Sequence, residues 1–470
     1  MKLLFSVLFS FLLLSANAKS HKLEFRITNQ RQNIVYLFLL KGDKQTKTDT
    51  FKINNLSAKQ PADIKFILPA NAPAGMYRVI LGQTRVAELM NEPPQHIDFI
   101  FNHEDIILNT DFIAPHDSLK VIQSEENSVW FDFMEKETKL KKQLKESKME
   151  LDYFQQENNP AEAEKQAIIY NELQHERDNY ISETIGKHKN LFASKIIAMY
   201  REPFLDGKLS AKERDEIFKT EFFNHLDFTD EELINTTIYS TTVFTYLMSY
   251  AKKGLTREQQ EQEFIKGVDV ICTNTEKNEN VYEFVLDFLM RGFEQLNLEN
   301  ALVYLAGKYK DSTCGSDNKT TAERRLLFYK TMKTDAVVPD FTLNDVNGDA
   351  VTLSEVLKEE TLLIFWAGWC PHCNLMIPKI KEWYSRQDKK RVEVVTVSLD
   401  TSEKEWKTKV DELGIESWFN LSDLKSWDGE VANKYNIYGT PTLFLLDKNR
   451  KILAKPKTIN DLNKYIFLPQ

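Results

Sequence analysis

The stretch Thr361-Leu362-Leu363-Ile364-Phe365-Trp366-Ala367-Gly368-Trp369-Cys370-Pro371-His372-Cys373 decides how this chain is read. Its first half is a short apolar run, the form of a strand buried on both faces. Its second half sets two cysteines at i and i+3, where a helix-like segment to about Arg386 begins. Two thiols at that spacing can close a small disulfide ring. The N–H groups of a helix N-terminus carry partial positive charge and stabilise a thiolate. Cys370 is therefore the expected nucleophile and Cys373 the thiol expected to resolve a mixed disulfide. Pro371, in the first turn, costs no helical hydrogen bond, whereas Pro378 falls in the interior and predicts a kink. A protonated His372 between the sulfurs would favour the thiolate and make the disulfide more oxidising. The bland reading has it pointing to solvent.

Working outward, the residues from 335 to 470 read as alternating strands and helices. Asn347-Gly348 turns a hairpin between Pro339–Leu343 and Val351–Leu353. A strand is expected over Val392–Ser398, with helices near Glu403–Leu413 and Asp428–Tyr435. A second hairpin pairs Leu443–Leu446 with Lys451–Ala454, and a short helix covers Asn460–Tyr465. Thr440-Pro441 stands just before that hairpin. A cis bond there would turn the Thr440 backbone toward the cysteines, where it could pair with an extended substrate segment. Trp366 reads as core, and Trp369 as a rim residue touching substrate.

Upstream, residues 1–18 have the form of a secretory leader: Lys2, an apolar stretch from Leu3 to Leu14, and Ala16-Asn17-Ala18 as a cleavage site. The apolar core is shorter than the roughly 20 residues of a membrane span. A soluble protein exported to the periplasm or cell envelope, with no transmembrane anchor, is expected. Residues 19–123 alternate as strands separated by Lys41-Gly42-Asp43, Pro69–Gly75 and Glu92-Pro93-Pro94, which predicts an all-β sandwich. Residues 124–334 are rich in helix formers, with Asn158-Asn159-Pro160 as the strong break between two antiparallel helices over 125–186. Three parts after the leader are expected: a sandwich, an all-α region, and an α/β domain over 335–470.

The segment from Val338 to about Leu468 resembles the TlpA/ResA group of extracytoplasmic thioredoxin-like proteins. The shared marks are Pro339-Asp340-Phe341, Phe365-Trp366-Ala367-x-Trp369-Cys370-x-x-Cys373, Pro378 and Tyr438-Gly439-Thr440-Pro441-Thr442. The resemblance covers little more than a quarter of the chain. It implies a thioredoxin-like fold and disulfide exchange with protein thiols, served by a redox partner in the envelope. The β-then-helical layout upstream is similar to N-terminal extensions on some members. Thioredoxin carries a buried aspartate on the strand before its motif, and that position here is Ile364. Some ResA-type reductases carry a glutamate three residues after the second cysteine, and here it is Met376. The Cys-Pro-His-Cys tetrad is itself similar to that of the oxidant DsbA, so the direction of exchange stays open.

The chain of 470 residues has a net charge of −9, or −10 once Lys2 leaves with the leader. That balance disfavours nucleic acid as a partner. Four cysteines exclude a dense disulfide framework. Cys272 and Cys314 are candidates for one structural disulfide, against the alternative of two separate thiols. A closed zinc site wants four ligands, and neither of these has a partner at ligand spacing, so no metal is expected. A peroxidatic Thr-x-x-Cys loop is absent from Gly368-Trp369-Cys370. No phosphate loop or other cofactor motif appears, and no cofactor is expected. The competing reading makes this a binding or scaffolding envelope protein, in which residues before 335 hold a partner or form a homodimer.

Overall fold

The computed structural model describes residues 20–56, 60–308 and 321–466. The leader expected at 1–18 and Cys314 lie outside them. Among the described residues, no helix is long and apolar enough to cross a membrane. The chain divides into two compact units, residues 1–253 with 266–288 and residues 254–265 with 289–470.

The first unit opens with two four-stranded sheets. One runs in the order Ala62–Leu68, His21–Thr28, Ile106–Asp111, Lys120–Gln123, and the other Lys44–Lys52, Ile34–Lys41, Gly75–Gly82, Gln95–Phe101. Alternation explains the first sheet: Leu23, Phe25 and Ile27 are wholly buried while the residues between them face outward. They share one apolar core with Val35, Leu37, Tyr77, Val79 and Phe99 of the second sheet, which makes the pair a sandwich. Lys44–Lys52 is a strand that alternation does not announce, since its side chains are exposed up to Phe51. It lies at a sheet edge, where lysines discourage further pairing. The turn leading into it needs Gly42, which has φ +62° and no room for a Cβ beside the Phe284 ring.

Two long helices follow, Glu125–Gln156 and Pro160–Lys187. Asn159 caps the second one by accepting the Glu162 N–H, and Asn158 turns the chain with φ +51°. The pairs Asp132/Tyr180 and Glu137/Arg177 show that the helices run antiparallel. Their high charge suggests exposed faces, yet part of it is internal. The Arg177 side chain, 6% exposed, meets Glu137 at 2.7 Å, Glu202 at 3.3 Å and the Tyr200 carbonyl at 2.6 Å.

The second unit is built on a seven-stranded sheet in the order Ala350–Thr352, Thr342–Asp345, Phe419–Ser422, Val392–Ser398, Glu360–Trp366, Thr442–Leu446, Ile452–Ala454. Glu360–Trp366, Val392–Ser398 and Phe419–Ser422 are parallel neighbours, and the remaining pairs are antiparallel. Helices Pro371–Ser385 and Glu403–Leu413 provide the connections that parallel strands require. The first of them runs through Pro378. Phe419–Ser422 is a strand the pattern does not reveal, because four residues are too few to show a period. The unit reaches back beyond residue 335. Tyr329 and Tyr438 hydroxyls lie 3.0 Å apart, Tyr438 donates to Glu294 at 3.1 Å, and Phe328 packs against Phe444.

Replacing Glu137 with alanine strips a buried arginine of its main partner. We expect a loss of about 3 kcal/mol of stability, read from the urea midpoint. A loss within experimental error would show that Glu202 and the Tyr200 carbonyl suffice.

Candidate active site

The parallel register sets Trp366 beside Ser398 at the ends of their strands. The chain then leaves the sheet through Ala367, Gly368 and Trp369 before the helix Pro371–Ser385 begins. Gly368 is held at both its polar groups. Its N–H donates to the Asp400 carboxylate at 2.9 and 3.1 Å, and its carbonyl accepts from the Asn374 amide at 3.1 Å. Asp400 is itself 4% exposed and accepts from the Ser398 hydroxyl at 2.7 Å. A Cβ on Gly368 would crowd Lys409 at 3.2 Å, so glycine suits the close approach.

Cys370 is the N-cap of the helix, and its sulfur accepts the Cys373 N–H at 3.2 Å. The Thr440–Pro441 bond is cis, and the neutral Cys370 thiol donates to the Thr440 carbonyl at 3.3 Å. Local sequence suggests an exposed first cysteine. Instead Cys370 is 4% exposed and Cys373 is wholly buried. The first sulfur is covered because the Thr440 loop, 70 residues away in sequence, closes beside it. Ile364 and Trp366 are wholly buried, whereas Trp369 is 55% exposed with its ring 6.3 Å from that of Trp427.

The two thiols differ in acidity. Burial pushes Cys370 up, but hydrogen bonds from the Cys373 thiol, the Thr440 hydroxyl and the backbone N–H groups of Cys373 and His372 outweigh it. The group ends below the ordinary thiol value. Burial dominates at Cys373, aided by its bond with Cys370, and that thiol is pushed up to about 12.

A cleft of about 610 Å³ opens on the side of His372 and Pro441. Leu375, Met376 and Thr442 line it, together with Leu302, Phe328 and Tyr329 from the helices before the domain. Cys272 is buried in the helix Arg257–Thr275, and Cys314 is outside the described residues, so their pairing stays an expectation. Among the described residues, no group of three or more His, Cys, Asp or Glu side chains could hold a metal ion. Asp400 escapes sequence reasoning, because its approach to Gly368 depends on the pairing of two strands about 30 residues apart.

A thiol pair at a helix start, beside a cis-proline loop on a sheet of this order, defines a thioredoxin-like thiol–disulfide oxidoreductase. The AhpC/TSA family model matches residues 334–455. ResA, a thiol-disulfide oxidoreductase, from Bacillus thuringiensis is 26% identical over 161 residues, 33% of this chain and 88% of the relative. ResA from Oceanobacillus iheyensis is 32% identical over 135 residues, 27% of this chain and 68% of the relative. The chain belongs to the ResA-like thiol-disulfide oxidoreductases. Among solved structures it is similar to the thioredoxin domain of a thiol-disulfide oxidoreductase from Bacteroides vulgatus, 28% identical over 28% of this chain and 98% of that one, with a TM-score of 0.27.

The difference in acidity sets a pH profile. As pH rises, the Cys370 thiolate population rises first, so alkylation by iodoacetamide should accelerate with a midpoint below 9.0 and label Cys370 before Cys373. Cys373 should stay unlabelled until pH approaches about 12. Mass spectrometry of the labelled peptide checks this, and equal labelling of both sulfurs at neutral pH would contradict it.

Proposed function

We propose that this is an exported enzyme that exchanges disulfides with protein substrates through Cys370 and Cys373. The Cys370 thiolate attacks one sulfur of a substrate disulfide. A Cys370–substrate disulfide forms, and the other substrate sulfur leaves as a thiolate. Cys373, once deprotonated, attacks the Cys370 sulfur and releases the second substrate thiol. The substrate gains two electrons and the enzyme pair becomes a disulfide; oxidation of a substrate runs the same steps in reverse. The placement of the pair carries this reading: Cys370 caps the helix with its sulfur accepting the Cys373 N–H and lying beside the cis Thr440–Pro441 bond, and Cys373 is buried one turn further on. Thr440 and Pro441 would present the substrate chain beside Cys370, with Trp369 at the rim. Residues 1–18 support export to the cell envelope, where a redox partner would restore the pair.

Two substitutions test the roles. Cys370→Ser should abolish exchange, by several orders of magnitude if the residue is the nucleophile. Cys373→Ala should leave covalent complexes with exported proteins that are seen on non-reducing gels. Retained exchange by Cys370→Ser would end the assignment.

His372 would set the direction. In the full chain with Cys272 and Cys314 replaced by alanine, His372→Ala should move the potential of the pair to more negative values. A shift of at least about 30 mV is a tenfold change in equilibrium. A starting value near about −120 mV would place the enzyme with oxidants and one near about −270 mV with reductases. An unmoved potential would leave the imidazole no tuning role.

A further inference from the structure

The cleft beside His372 and Pro441 differs from the rest of the molecule in charge. The chain as a whole carries −9. Five cations line the cleft, Arg257, Lys379, Lys455, Lys457 and Lys464, against two carboxylates, Glu299 and Asp461. Those two are spoken for: Glu299 lies 2.9 Å from Lys455, and Asp461 lies 3.0 Å from Lys464. That leaves Arg257, Lys379 and Lys457 outside an ion pair, with Glu294 and Asp461 still acting on Lys457 from a distance. Arg257 and Lys457 donate to the backbone carbonyls of Leu296 and Glu294, at 3.0 and 2.9 Å. Among the described residues no carboxylate lies within ion-pair distance of Lys379, which is exposed on the helix that begins at the redox cysteines.

The cleft also has an apolar part, lined by Leu375, Met376 and Pro441 of the redox domain and by Leu302 and Phe328 of the helices before it. A hydrated inorganic anion would leave those surfaces uncovered. A peptide bearing carboxylates and one apolar side chain would cover both kinds of surface. Burial pushes the ammonium groups of Lys455 and Lys457 down. An entering carboxylate would restore the stabilisation that lost water once gave them.

We propose that this cleft selects substrate proteins whose reactive cysteine is flanked by acidic residues and an apolar side chain. The proposal rests on Cys370 as the attacking thiol. The helices before the redox domain thus supply part of a specificity surface: Arg257, Glu299, Leu302 and Phe328 all precede residue 335. Opposite charge raises the encounter rate, and salt weakens it over about 8–10 Å at moderate ionic strength.

The test uses the full chain with Cys272, Cys314 and Cys373 all replaced by alanine, so that capture by Cys370 is the only covalent event. In capture, the Cys370–substrate bond forms as the probe disulfide breaks and one probe thiolate leaves. The probes are disulfide dimers of two short single-cysteine peptides, one with glutamates and a leucine around the cysteine, the other with lysines and a leucine. Neutral hydroxyethyl disulfide and the small anion dithiodiglycolate serve as references. We expect capture of the acidic peptide to be about tenfold faster than the basic one at low salt, with the ratio falling toward one in high salt. Adding Lys379→Glu should shrink the ratio of acidic to basic peptide capture. Equal rates for the two peptides would overturn the proposal, as would a ratio untouched by both salt and Lys379→Glu. Dithiodiglycolate favoured over hydroxyethyl disulfide as strongly as the acidic peptide over the basic one would replace the peptide by small anions. No capture of any probe would instead remove the exchange reading itself.

Discussion

A thiolate persists in a nearly closed position only where N–H donors replace the water it has lost. Cys370 is such a position. It is 4% exposed, and the first N–H groups of the helix Pro371–Ser385 point at its sulfur. Those groups have no partner within the helix, because helix starts leave their donors unused. The rest of the second unit can be understood as the means of keeping this helix start where a partner disulfide could reach it. The strand Glu360–Trp366 delivers the chain, and its parallel neighbour brings Asp400 to Gly368. Its antiparallel neighbour, Thr442–Leu446, sets the Thr440–Pro441 bond beside the sulfur.

The same placement separates the two cysteines chemically. One helical turn moves Cys373 out of reach of the free N–H groups and into apolar surroundings, so the groups that lower one thiol leave the other raised. No acidic side chain takes the places that Ile364 and Met376 occupy. Asp400, the buried carboxylate of this neighbourhood, is engaged in holding Gly368 and Ser398. Those bonds fix the position of Gly368, two residues before Cys370.

The helices that precede the domain are part of its unit, tied by the Tyr329, Tyr438 and Glu294 hydroxyl–carboxylate chain and by the contact of Arg325 with Glu294 at 2.8 Å. Partly buried polar chains of this kind favour one arrangement of the elements that share them. The wall that they build carries Arg257 and Glu299 to the cleft beside His372. In the first unit the buried Glu137–Arg177 pair links two helices in a comparable way.

Much of this was legible in the chain of residues. The Cys-x-x-Cys after a six-residue apolar run, the Thr440-Pro441 step, the Asn-Gly turn and the sandwich strands with alternating side chains are local signals, readable within one turn or one strand. Edge strands and short central ones were not. Lys44–Lys52 has no apolar face to show, and Phe419–Ser422 is too short to display a period. The sequence by itself pointed to the two thiols as the expected reactive pair and to most of the elements around them, because helix starts, alternation and turn residues act over a few positions. Only the tertiary structure decided that Cys370 is covered, that Asp400 holds Gly368 and that cations from four separate segments meet in one cleft. Those facts depend on contacts between residues tens to hundreds of positions apart, and no local period records them.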